Sequence, residues 1–89
     1  MSQIVIKQPT EGELKKLEID NWSPWSCEPS TFNWHYDTDE TAYVFEGRVK
    51  VKTAGGEVEI KAGDLVFFPK GLSCTWQVLE RINKVYRMG

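Results

Sequence analysis

The side chains able to do chemistry stand at two places in the chain, Trp34, Tyr36 and Glu40 in the first and Cys74 and Trp76 in the second. In an extended segment, residues an even number apart share a face, so these five are predicted to project into one common interior. Two indoles and a phenol give flat apolar walls. Glu40 adds a hydrogen-bond acceptor or general base, and Cys74 a polarizable thiol. That inventory suits a small organic ligand, although the same rings would also serve as packed core in a small barrel. Glu40 is the hardest of the five to explain as filler. A carboxylate facing aromatic surroundings pays for desolvation unless it is hydrogen-bonded, paired or protonated.

His35 is the only histidine. It lies between Trp34 and Tyr36 and must face away from both, which places it on the outer surface, and no nucleophile elbow surrounds any serine. A Ser-His-Asp centre is therefore discounted, and so is a pair between His35 and Cys74. Cys27 and Cys74 are too few for a disulfide framework and lie in no C-x-x-C or Cys/His cluster, so reduced thiols are expected. Buried as a small apolar side chain, Cys74 would be inert.

The elements that must hold these residues are mostly strands. Thr10 to Glu13 forms a capping box that starts one short helix, with Leu14 and Leu17 on its buried face. The segment from Asn21 to Pro29, with its two prolines and two tryptophans, is predicted to be a packed loop. Strands are then expected at 31–36, 41–46, 48–53, 57–61, 65–68, 73–79 and 82–87, separated by turn residues that include Gly47, Gly63 and Gly71. Folding the central hairpin around Ala54-Gly55 sets Lys52 opposite Glu57 and Lys50 opposite Glu59, while Val51 meets Val58 and Val49 meets Ile60. The basic run Arg48, Lys50, Lys52 then reads as a solvated strand face.

Composition narrows the function classes. The chain has 89 residues, 40% hydrophobic, 12% aromatic and 27% charged, with a net charge of -2. This fits one small globular domain over residues 1–89 and gives no electrostatic reason to expect a nucleic-acid or membrane partner. The N-terminus shows no basic and apolar leader pattern, and no stretch approaches membrane-spanning length, so a cytoplasmic protein is expected.

Two stretches carry a family likeness. Trp34-His35-Tyr36-Asp37-Thr38-Asp39-Glu40 with Tyr43-Val44-Phe45-Glu46-Gly47 resembles the first cupin motif, and Gly63 to Cys74, with its Pro69-Lys70-Gly71 turn, resembles the second. Together with Lys84-Val85-Tyr86, these pieces are similar to the small single-domain cupins of the cupin-3 type grouped with ureidoglycine aminohydrolase. The resemblance implies an all-β fold, the cupin double-stranded β-helix or jelly-roll barrel, with one short N-terminal helix, a cupin core at about 30–89 and a ligand or metal site inside.

The departures are informative. Trp34 and Tyr36 hold the H-x-H positions, Cys74 holds the motif-two histidine position, and only Glu40 remains among four ligands. Glu40, Cys74 and Tyr36 are thus the candidates left for a divalent metal, and the resemblance specifies no cofactor. The expected function is binding of a small organic molecule by Trp34, Tyr36, Glu40, Cys74 and Trp76 at a degenerate metal site. One alternative is a metal-dependent aminohydrolase or isomerase using Glu40 and Cys74. Another is a structural or partner-binding barrel whose contact surface is an exposed loop bearing Trp22 and Trp25. Cupins commonly dimerise, and the strand Gln3 to Lys7 is a candidate edge for a homodimer.

Overall fold

The computed structural model describes residues 4–89, so Gln3 of the expected edge strand lies outside the described residues. Strand β1 (Val5–Lys7) leads into helix α1 (Glu11–Leu17). The helix starts where the sequence placed it: Thr10 Oγ1 accepts from the Glu13 amide at 3.2 Å, and Glu13 Oε1 accepts from the Thr10 amide at 3.1 Å. Glu18 ends it in the left-handed region, and a 3-10 turn follows over Ile19–Asn21. Leu14 and Leu17 are half-buried.

The rest is sheet: β2 (Ser23–Cys27), β3 (Ser30–His35), β4 (Glu40–Thr53), β5 (Gly56–Lys61), β6 (Leu65–Phe68) and β7 (Ser73–Met88). Two long antiparallel strands, β4 and β7, organise it. Their first pairing region, Glu40–Val44 against Lys84–Met88, continues outward through β6 to β1 on one side and to β2 on the other. Their second, Val49–Lys52 against Thr75–Val78, is flanked by β5 and β3. The core lies between these regions and includes Ala42, Val44, Val49, Val51, Ile60, Val66, Phe68, Val78 and Ile82. Among the described residues no helix is long and apolar enough to cross a membrane.

Two expected turns are instead interior to strands. Gly47 does not end a strand; it is a bulge in β4, where the register against β7 shifts between Val44 and Val49. The inward-facing residues change there from even (Ala42, Val44) to odd (Val49, Val51). Glycine is required: its φ is 99°, and an added Cβ would lie 2.2 Å from the Arg81 carbonyl oxygen. Strand β7 likewise runs unbroken through Glu80 and Arg81.

The segment 21–29 is also corrected, since most of it is strand β2 and not a loop. Pro24 is tolerated because β2 is the last strand of its sheet, where a missing N–H breaks no ladder on the open side. The exposed Trp22/Trp25 contact surface is overturned with it. Trp22 is only 8% exposed with the Arg87 guanidinium 5.2 Å over its ring, and Trp25 is half-buried against the core.

The hairpin β4–β5 has the register read from its charges, Lys52 against Glu57 and Lys50 against Glu59. Arg48 also reaches Glu80 at 3.1 Å, so acids answer the basic run.

Candidate functional site

Strand β7 turns its even-numbered residues inward: Cys74, Trp76, Val78, Ile82 and, between Ile82 and Tyr86, the lysine Lys84. Val44 of β4 and Trp25 of β2 flank Lys84 in register, so its side chain enters the interior at the centre of a sheet. Glu40, at the first residue of β4, points to the same place. Lys84 Nζ donates to Glu40 Oε2 at 3.0 Å, and the two residues are 6% and 5% exposed.

Aromatic rings enclose this ion pair. The ammonium lies 4.8 Å from the ring centre of Trp76, 5.0 Å from Trp25, 5.6 Å from Tyr86 and 5.9 Å from Phe68, all within cation–π range. The rings also brace one another. Phe32 stacks on Trp76 at 6.0 Å and 16°, Trp25 meets Trp76 edge-on at 5.9 Å, and Tyr36 stacks on Phe68 at 4.7 Å and 7°. Burial lowers the proton affinity of the Lys84 amine below that of an ordinary lysine, while the Glu40 carboxylate opposes the shift.

Beside the pair opens a cavity of about 120 Å³. Trp25, Phe32, Tyr36, Trp76 and Tyr86 form its walls, and Glu40 and Lys84 supply its charged groups. Trp34 and Met88 also line it, and they are 50% and 52% exposed, which puts them at the rim. A cavity of roughly 150 Å³ elsewhere takes up benzene, so this one has room for a ligand of a few heavy atoms.

The five residues singled out in the sequence are distributed unevenly. Tyr36, Glu40 and Trp76 are buried and line the cavity; Trp34 leans edge-on against Tyr36 at 6.4 Å and stands at the mouth. Cys74 is buried but does not line the cavity. The Trp76 indole N–H lies near Cys74 and Tyr36, close enough to favour their ionised forms yet outside hydrogen-bond geometry, and it is left without a partner among the described residues. Burial nevertheless dominates at both. It pushes the Cys74 thiol up and holds the Tyr36 phenol far above its ordinary range, with the Glu40 carboxylate adding to each shift. His35 is exposed on the outer face, its Nδ1 2.8 Å from Ser73 Oγ.

Lys84, Trp25, Phe32 and Tyr86 were not among the site residues taken from the sequence. A signal for Lys84 was present: it falls two residues from Ile82 and two from Tyr86, on the apolar face of its strand.

Comparison with known proteins settles the family. The family model for the EutQ-like cupin domain matches residues 14–86. The chain belongs to the EutQ-like cupin domain family. A DUF861 family protein of Thermotoga maritima is 46% identical with a TM-score of 0.95, covering 98% of this chain and 100% of that one. The EutQ protein of Clostridium difficile superposes with a TM-score of 0.69 at 22% identity, covering 98% of this chain and 68% of that one, which shows the shared fold. Two proteins named acetate kinase EutQ match in sequence. That of Clostridioides difficile is 32% identical over 57 residues, 64% of this chain, and that of Escherichia coli 34% over 59 residues, 66% of this chain. The matched regions span only 36% and 25% of those relatives.

Cupin sites commonly hold a divalent metal, and the donors here do not fit one. Among the described residues no three His, Cys, Asp or Glu side chains converge. The surviving ligand position, Glu40, is already engaged by the Lys84 ammonium, a cation that a metal would have to displace. Tyr36, with its phenol held protonated, is a poor third donor.

Proposed function

We propose that this EutQ-like cupin domain binds a small, neutral organic molecule carrying one polar group in the aromatic cavity beside Lys84 and Glu40. The observation that carries the reading is the buried ion pair at the edge of an open, ring-walled cavity. The opposite charges of Lys84 and Glu40 cancel, so an incoming ion would be an uncompensated charge among indoles and phenols, at a cost of several kcal/mol. A neutral polar group meets no such penalty. An ammonium has three N–H donors, and Lys84 gives one to Glu40, so it can also donate to a hydroxyl or carbonyl oxygen.

Titration of three matched compounds, 1-butanol, butyrate and butylamine, followed by tryptophan fluorescence, tests this. Trp25, Trp34 and Trp76 all line the cavity and report its filling. Saturable change with the alcohol, and binding of the two ions weaker by roughly tenfold or more, is expected. Equal response to all three, or no saturable response to any, would overturn the reading.

A further inference from the structure

The ion pair that recognises a polar ligand also has the parts for forming a covalent bond to one. Lys84 is a primary amine at a cavity wall, desolvated, with a carboxylate 3.0 Å from its nitrogen, and among the described residues Glu40 is the one side chain it hydrogen-bonds. Lys7, Lys15, Lys16, Lys52, Lys61 and Lys70 are exposed, and Lys50 is half-exposed, so Lys84 is the buried lysine among the described residues. We infer that Lys84 is an imine-forming lysine, whose Nζ condenses reversibly with the carbonyl carbon of a small aldehyde or ketone while Glu40 carries the protons. This rests on the cavity being a ligand site, and it narrows the ligand class to carbonyl compounds.

The steps balance without any further reagent. The Lys84 ammonium passes one proton to the Glu40 carboxylate, freeing the nitrogen lone pair. That pair attacks the carbonyl carbon, forming the C–N bond, and the C=O π pair moves to oxygen. A second proton passes from nitrogen to that oxygen, giving a neutral carbinolamine beside a protonated Glu40. Glu40 then protonates the hydroxyl, which leaves as water as the nitrogen pair closes the C=N bond. The products are a protonated imine, one water and the Glu40 carboxylate.

The surroundings favour that product. The protonated imine has the charge of the ammonium it replaces, so it stays paired with Glu40 and keeps the rings of Trp25, Trp76 and Tyr86 as cation–π partners. Attack needs the amine neutral, and burial already favours proton loss from Lys84. Lys50, Lys52 and Lys61 also have a carboxylate within 4.0 Å, but their own side chains lie in solvent, so these lysines lack the desolvation.

The test is reductive trapping of the intact protein with butanal and cyanoborohydride near neutral pH, with peptide mass mapping against time. Lys84 should take up one butyl group at least roughly tenfold faster than any exposed lysine, the low end of what a positioned acid–base supplies. Excess 1-butanol should protect Lys84 alone. Glu40→Gln should slow labelling of Lys84 about tenfold and leave the surface lysines unchanged. The wild-type comparison between lysines stands even where a variant folds poorly. Labelling spread evenly over the lysines, or absent from Lys84, would overturn the inference. If 1-butanol still gives a saturable fluorescence change in that case, the cavity remains a ligand site and only the imine falls. If neither alcohol nor aldehyde binds, both readings fall.

Discussion

Lys84 is the residue on which the interior turns. Removing its charge alone strands Glu40 as an unpaired buried carboxylate, whereas removing both charges leaves an apolar core. Lys84→Met should therefore cost about 3 to 5 kcal/mol in urea unfolding, and Lys84→Met with Glu40→Leu should return to within about 1 kcal/mol of the parent. A double variant as unstable as the sum of its singles would show that the pair does not act as a unit. A second outcome follows from Tyr36, whose phenol is held protonated in the fold far beyond the value of about 10 that it has when unfolded. The native state thus holds a proton that the unfolded chain loses above that pH, so this contribution is fully present below about pH 10 and is lost as pH rises. Melting temperatures between about pH 9 and 11 should fall more steeply for the parent than for Tyr36→Phe, and equal slopes would contradict the shift. The carboxylate of the site was legible in the sequence, because Glu40 sits in a cupin motif and needs a partner if buried. Its partner was not. Lys84 lies 44 residues away, and a lysine in a strand is by default read as facing water, a default that holds for Lys50 and Lys52 but fails where Ile82 and Tyr86 mark the same face as buried.

At the scale of elements, what could be read depended on whether two independent constraints agreed. In the β4–β5 hairpin, charge pairing and apolar pairing select one register, and that register is the one observed. Strand β2 had no such agreement, because Pro24 argues against a strand in general and only its place at the end of a sheet removes the objection, a fact of topology that local sequence does not contain. Gly47 shows the same limit, since a glycine between two apolar runs marks a turn and a bulge equally well. The bulge makes a sharp demand. At Gly47 an added methyl meets the backbone of Arg81 and Ile82, whereas at Gly63, also with positive φ, it meets nothing within 4 Å. Gly63→Ala should cost about 1 to 2 kcal/mol, from backbone conformation alone. Gly47→Ala should cost about 2 to 4 kcal/mol or more, since β4 must also move away from β7. Equal costs in parallel denaturation curves would mean that the β4–β7 contact at Gly47 yields without penalty.

Across the whole molecule, the long strands β4 and β7 bring Glu40, from the start of one, to Lys84, near the end of the other, and so place an ammonium beside the one ligand position that the metal-binding pattern leaves. Because that contact spans both strands, occupancy of the site must register in the stability of the fold. Anything that binds only the native state raises the melting temperature by mass action. A divalent ion would have to displace Lys84 from Glu40, leave that ammonium unpaired in an aromatic cage, and complete its coordination largely with water. The expected outcome is that manganese, nickel, zinc and iron(II) produce no saturable rise in melting temperature, while 1-butanol produces one that is lost when the cavity is filled by Tyr36→Trp. A metal-dependent rise abolished by Glu40→Gln would reverse this conclusion, for it would show that Lys84 can leave its partner and that Glu40 serves as a ligand. Elemental analysis of the protein before and after chelation measures the same competition from the bound side, and stoichiometric metal retained through Glu40 would make the lysine, rather than the ion, the displaced group.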